Sequence, residues 1–240
     1  MKVAFCFAGQ PRDVKNTLNN IKKSWGTHQK LDFFFHSWIP DDEGPYRIDT
    51  PSDVYTKDIN DYIISELSPV KYQFENQIIF KNYYRDSIHW PIRSSNIPNP
   101  SQNIQSFFYS IKKSNELKKQ YEDENNFKYD CVIRCRFDYL FTKIYNVKDF
   151  DLNFLNVKND CKHTEYAIND HIALSNSENM DLYCTVFDNI HRHYANGIEF
   201  NTEVILGYNA FINGLKYHKT LGDNNESYVS TQKERSGIYI

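Results

Sequence analysis

The 240-residue chain has the length of one domain, and its 40% apolar and 25% charged residues mark a globular composition rather than a disordered one. Its net charge is −3, from 28 basic and 31 acidic residues, with no long basic run. That argues against a dedicated nucleic-acid binder, because tracking phosphates needs a concentrated positive field. No segment approaches the ~20 apolar residues that would cross a bilayer.

The opening MKVAFCFAGQPR is too short in its apolar part for a signal-peptide core and has no small-residue cleavage site. Lys2 to Ala8 instead predicts a buried strand that ends at Gly9. Val14, Leu18, Ile21 and Trp25 recur at spacings of four, three and four, one face of a helix from Asp13 to Trp25. LDFFFHSW (Leu31–Trp38) predicts a second buried strand, closed by the turn-forming PDDEGP. Asp53 to Leu67 is helical by period, Pro69 stops it, and Val70 to Phe74 follows as a third strand. A strand–helix–strand–helix–strand opening is the signature of a parallel sheet with crossover helices.

Lys81 to Pro100, with Trp90, Pro91, Pro98 and Pro100, reads as a long loop, which in a compact domain is more often functional than idle. Ser101 is placed to cap a helix running to about Glu124, with Ile104, Phe107, Phe108, Ile111, Leu117 and Tyr121 inward. Lys112, Lys113, Lys118 and Lys119 are expected in water. Tyr129 to Phe141 (YDCVIRCRFDYLF) is a strand whose centre is apolar and whose end is not. Tyr166 to Leu174 predicts another strand, Ser177 to His193 a helix, and Glu203 to Gly214 a last amphipathic helix. The chain thus divides into one domain over 1–220 and a polar tail over 221–240. The fold class is α/β, a mostly parallel central sheet flanked by helices.

Cys6, Cys131, Cys135, Cys161 and Cys184 are odd in number and scattered. Cys131 and Cys135 have a loop metal pair's spacing, yet inside a strand their Cα atoms stand about 13 Å apart at ~3.3 Å per residue, beyond disulfide reach. Free thiols in a reducing compartment are expected.

In an open α/β sheet, ligands bind outside the carboxyl ends of the strands, so the residues just after each strand carry the information. After the first strand, Gly9 permits close backbone approach, the amides at the following helix start favour an anion, and Arg12 adds a bidentate phosphate contact. The plain alternative is a strand–turn–helix corner with a solvated Arg. After the second, a base or sugar could stack on Trp38 and hydrogen-bond to His36, or both could be satisfied core residues. The sharpest feature is Arg134-Cys135-Arg136-Phe137-Asp138, where period two puts Arg134, Arg136 and Asp138 on one face at a strand's end. Charges are rarely buried unpaired, so the run suggests a polar cleft, its guanidiniums toward an anion and its carboxylate toward a metal or hydroxyl. The alternative is an internal Arg–Asp ladder.

Asp149-Phe150-Asp151 is a literal Asp-x-Asp that could ligate Mg²⁺ or Mn²⁺, but it falls where Asp is common as a turn residue. Asp170, beside His171 and ahead of a buried run, is a candidate base or second metal ligand, with a plain turn as the alternative. His191 and His193 fall on opposite faces of a helix and make a poor chelate. Glu203, at the start of the last helix, is explained by the helix dipole alone.

The ordered set VAFCFAGQPR, FFFHSW, FFYSIKKSNELKKQYE, YDCVIRCRFDYLF and NDHIALSNSENMDLY resembles small glycosyltransferase-like proteins of polysaccharide and lipopolysaccharide gene clusters and of large DNA viruses. The resemblance covers about residues 1–215 and implies a compact GT-A fold, a nucleotide-sugar-binding α/β domain. It places Gly9, Gln10 and Arg12 at the nucleotide, and Arg134, Arg136 and Asp138 where GT-A enzymes keep their Asp-x-Asp metal motif. It puts Asp170 on the acceptor side. The first carboxylate of Asp-x-Asp is replaced here by Arg136, leaving Asp138.

The expected function is transfer of a sugar from a nucleotide-diphosphate donor to a glycan, lipid-linked or other hydroxyl acceptor. Arg12, Arg134, His36 and Trp38 would lie at the donor, Asp138 would direct Mn²⁺ or Mg²⁺, and Asp170 would act as base. Arg136 would carry charge on the leaving diphosphate, which Arg134 and Arg136 could also neutralise with no metal. The chain is expected to be cytoplasmic, at most peripheral at a membrane, with no transmembrane segment and no nucleic-acid partner. A non-catalytic nucleotide- or glycan-binding module keeps the fold and loses the turnover. A methyltransferase is weakened by the absence of a Gly-rich loop after the first strand. All of this leans on the triplet facing a pyrophosphate. Should those side chains be locked to one another, or point into bulk water away from any hollow, the enzymatic interpretation falls with them.

Overall fold

The computed structural model describes residues 1–11, 14–39, 57–76, 100–158 and 167–221. Arg12, Cys161, the segment 40–56, most of the expected 81–100 loop, the start of the 166–174 strand and the tail beyond 221 lie outside the described residues.

Seven strands form one sheet: β1 (Val3–Gly9), β2 (Leu31–Ile39), β3 (Lys71–Asn76), β4 (Cys131–Arg136), β5 (Leu155–Lys158), β6 (Ile172–Ser175) and β7 (Tyr217–Leu221). Their order is β3-β2-β1-β4-β6-β5-β7. β1 pairs parallel with both β2 and β4, β2 with β3, and β5 with β7. β6 alone is reversed, antiparallel to β4 and to β5. The helices are α1 (Val14–Ser24), α2 (Lys57–Leu67), α3 (Pro100–Glu124), α4 (Ser177–Tyr183), α5 (Ile190–Ala195) and α6 (Thr202–Ile212). The class is therefore α/β with a mostly parallel, mixed sheet. No helix among the described residues is long and apolar enough to cross a membrane.

Period two in β1 sorts the core into two layers. Val3, Phe5 and Phe7 pack with Val14, Leu18, Ile21 and Trp25 of the α1 layer. Ala4, Cys6 and Ala8 face the opposite layer with Phe108 and Ile111 of α3. Small residues on that face let a helix of 25 residues lie close to the sheet centre. All seven residues of β1 are buried, as a strand covered on both faces must be. β4 sorts in the same way: Ile133 and Cys135, with Phe137 just beyond the strand, join the α1 layer. Arg134 and Arg136 therefore share the α3 face, beside Cys6 and Ala8 in register.

Several boundaries differ from the sequence reading. Ser101 lies inside α3, which begins at Pro100, a residue whose missing N–H costs nothing in a first turn. The expected 177–193 helix is two helices, α4 and α5, separated by a tight turn over Cys184–Val186. His191 is exposed and His193 buried, so they do face opposite ways. β5 and β7 are too short for a periodic signal to stand out.

The clearest correction concerns Lys118. Far from being solvated, it is fully buried, its Nζ 2.6 Å from the Ser177 hydroxyl, 2.8 Å from Asp181 and 3.0 Å from Glu122. Glu122, also buried, accepts from the Tyr129 amide at 2.8 Å and from the Ser177 hydroxyl at 2.7 Å. This network fastens α3 to α4 and to the start of β4. Burial alone would push the Lys118 ammonium down, and Asp181 and Glu122 outweigh it and hold it above its usual range. Cys6, Cys131, Cys135 and Cys184 are buried free thiols pushed up by burial, hence inert.

Candidate functional site

From β1 the sheet runs outward to β2 and β3 on one side and, after α3, resumes at β4 on the other. That reversal makes the carboxyl ends of β1 and β4 the switch point, where an open α/β sheet forms its crevice. Because β6 is reversed, its amino end lies at the same edge, so Asp170 and His171 meet the end of β4. The His171 carbonyl accepts from the Arg136 amide at 2.9 Å.

Arg136 is held by two carboxylates. Its Nε donates to Asp138 Oδ1 at 2.8 Å and its Nη2 to Oδ2 at 2.7 Å. Its Nη1 reaches both Asp170 oxygens at 3.3 Å. Burial works against the Arg136 charge, and the two carboxylates outweigh that and keep the guanidinium protonated. The three side chains are 24%, 23% and 13% exposed, so the cluster still meets solvent.

Arg134, one pleat deeper, is fully buried. Its Nη1 donates to the Asp170 carbonyl, and its guanidinium lies 4.8 Å over the Phe107 ring. Nε and Nη2 have no hydrogen-bond partner among the described residues. A second bond orders the same turn: Asn169 Oδ1 accepts from the His171 amide at 2.8 Å, an Asx turn that sets the direction of Asp170. His171 Nε2 is 3.6 Å from Asp170, and burial first, then the Arg136 charge, push its pKa down.

The structure thus brings Arg134, Arg136, Asp138 and Asp170 together, as the strand-end pattern predicted for the triplet. It also locks Arg136 to Asp138, the internal ladder that the sequence left open, so the condition set against an enzyme is met for that pair, while Arg134 stands outside the lock. Both oxygens of Asp138, the carboxylate expected to direct Mn²⁺ or Mg²⁺, accept from the Arg136 guanidinium. Among the described residues no group of three or more His, Cys, Asp or Glu side chains is arranged to hold a metal ion. A divalent ion held by Asp138 does not fit this arrangement.

Other residues expected at the donor have partners within the protein. The Gly9 amide donates to Ser110 Oγ of α3 at 2.6 Å. Gly9 matters through its backbone, with φ at +106°, a conformation that side chains strain to adopt. Gln10, partly buried, follows directly at the mouth of the β1 end. His36 and Trp38 are buried rather than open to a base. Trp38 stacks on Tyr109 with centroids 5.8 Å apart, so a side chain of the protein covers the ring.

His36 Nδ1 lies 2.8 Å from Ser110 Oγ, and its Nε2 lies 3.5 Å from Glu75. Tyr109 donates to both Glu75 oxygens at 3.1 and 3.0 Å. Burial pushes His36 down, and the His36 contact holds the Glu75 carboxyl below its usual range. Ser110, Tyr109 and Glu75 were missed by the sequence reading because each is bland in its own segment. The signal available was α3's inward spacing, which puts Ser110 between Phe107 and Ser114. Asp149 and Asp151 are at the wrong end of the sheet: the chain beside them, at Leu152, bonds Ser175 and Asn176, next to the amino end of β4. Asp151 caps its own turn through Asn153. Compared with models of known protein families and with curated proteins, the sequence matches none of them.

Proposed function

We propose that the chain is a glycosyltransferase of GT-A-like fold, which moves a sugar from a nucleotide-diphosphate donor to a hydroxyl acceptor. The observation that carries the reading is the meeting of Arg134, Arg136, Asp138 and Asp170 at the carboxyl ends of β1 and β4, the edge where such sheets bind nucleotides. The resemblance in motif order supports it, as does the mostly parallel sheet. Asp170 is the acceptor-side base, a partly accessible carboxylate whose backbone is pinned by Arg134 and by the Asn169 turn. The planar fork of Arg136 matches a phosphate edge and opposes the charge that develops on the departing diphosphate. With Asp138 paired as it is, this reading gives the charge on the diphosphate to the guanidinium.

A panel of nucleotide sugars tests this. Nucleoside diphosphate should be released from at least one donor, and chelation should leave the release in place. The pairing of Arg136 with two carboxylates also favours a second reading, a module that binds nucleotide or glycan without turnover. No release from any donor, together with saturable nucleotide binding, would establish that reading instead.

A further inference from the structure

We propose that Asp138 and Asp170 are internal substitutes for the donor diphosphate: they hold the Arg136 fork in place until a diphosphate takes it, and that exchange frees Asp170 to accept the acceptor's proton. The inference rests on the glycosyltransferase reading and assigns Asp138 and Arg134 roles within the same site.

Carboxylate and phosphate offer a guanidinium the same bidentate edge, so one can replace the other without rebuilding the site. The two carboxylates do not hold Arg136 equally. Asp138 makes two bonds at 2.8 and 2.7 Å across the Nε–Nη2 edge, and Asp170 makes two long ones at 3.3 Å to the single Nη1. The Asp170 contact is therefore the first to yield. When it does, Asp170 stays where it is, because Arg134 holds its carbonyl and Asn169 holds the turn. Arg134 is thus a positioning residue for the base.

All three exchanging side chains reach solvent. In the transfer that follows, the acceptor oxygen forms its bond to the anomeric carbon and its proton passes to Asp170. The bond from that carbon to the diphosphate oxygen breaks, its electron pair leaves with the diphosphate, and Arg136 faces the new charge. While Arg136 still clasps Asp170, both carboxylate oxygens are in contact with Nη1. An acceptor arriving first, water included, is not activated.

The exchange and a metal-ligand role for Asp138 predict opposite results for one substitution. Calorimetric titration with inorganic pyrophosphate, in EDTA and separately in Mn²⁺, separates them. Wild-type protein should bind in EDTA, with no need of Mn²⁺. Asp138→Asn removes an internal competitor worth about one exposed ion pair and should bind about fivefold tighter in EDTA. Arg136→Lys keeps the charge, loses the fork and should bind about tenfold more weakly. A thermal melt of each variant confirms that it is folded. Weaker binding by Asp138→Asn, or wild-type binding that requires Mn²⁺, overturns the exchange.

Pyrophosphate carries no sugar, so the result is independent of turnover. A protein that behaves as expected here yet releases nothing from any nucleotide sugar keeps the guanidinium exchange and loses the transferase reading. One that turns over only with Mn²⁺ does the reverse.

Discussion

Asp170→Asn should lower the transfer rate by roughly 10²–10⁴-fold, the usual weight of a general base, while leaving the fold and donor binding in place. The substitution keeps the side chain's shape and leaves untouched the backbone carbonyl on which Arg134 rests and the Asn169 turn. Arg136 loses only its two longer contacts and keeps Asp138. A loss in the rate constant, with the donor's apparent affinity no weaker and modestly tighter because one competitor for Arg136 has lost its charge, is the expected pattern. Steady-state kinetics with the donor identified by the panel checks it, and an unchanged rate would retire Asp170 as the base.

The largest effect on stability is expected at Lys118. Lys118→Met takes from Glu122 its buried cation, leaving it the exposed Lys128 at 3.3 Å, and from Asp181 one of two partners at 2.8 Å. Breaking a buried pair typically costs about 3–5 kcal/mol, and the remaining partners place this one near the lower end. Restoring neutrality with Lys118→Met and Glu122→Gln together should recover part of that loss, because a buried pair replaced as a unit is far less costly than one broken. Urea unfolding of the two variants measures both.

The same network sets a pH dependence. Burial pushes the Glu122 carboxyl up, but the Tyr129 amide, the Ser177 hydroxyl and Lys118 outweigh it and hold it below its ordinary value of 4.5. A depressed carboxyl stabilises the fold above that ordinary value, and the contribution is lost as pH falls through the folded value. Lys118, held above its ordinary 10.5, has the opposite sense: its contribution is present below that value and lost as pH rises past the folded one. The network therefore contributes fully across the neutral range. In Lys118→Met the acid loss should begin at higher pH, because the cation that helped to hold Glu122 down is gone.

Lys118 also shows where the sequence was legible and where it was not. The α3 stripe of Phe108 and Ile111 was read correctly from its spacing. The same spacing continues through Asn115, Lys118 and Glu122, all buried, but polar residue types hide a periodicity judged by apolarity alone. β1, β2 and β4 were legible because strands covered on both faces are continuously apolar. β5, with four residues, and β7, with one buried residue among five, carry no such signal.

At the site, period two placed Arg134, Arg136 and Asp138 on one face. What it could not supply was that reversed β6 delivers Asp170 to the same edge, since strand direction is a property of the assembled sheet. Nor could it tell a guanidinium that faces a ligand from one that faces its own carboxylates. Both need the same residues at the same spacing. For His36 and Trp38 the choice between a donor contact and a covered core position stayed open for a related reason: which of their neighbours covers them is decided by α3, far along the chain.

A crystal structure with uridine or guanosine diphosphate, grown with and without Mn²⁺, tests the central claim most directly. The diphosphate should lie over the carboxyl ends of β1 and β4 within hydrogen-bond distance of Arg136, with the Asp170 carboxylate released from the guanidinium. Nucleotide bound at another edge of the sheet, or bound here while Arg136 remains clasped between Asp138 and Asp170, would contradict it.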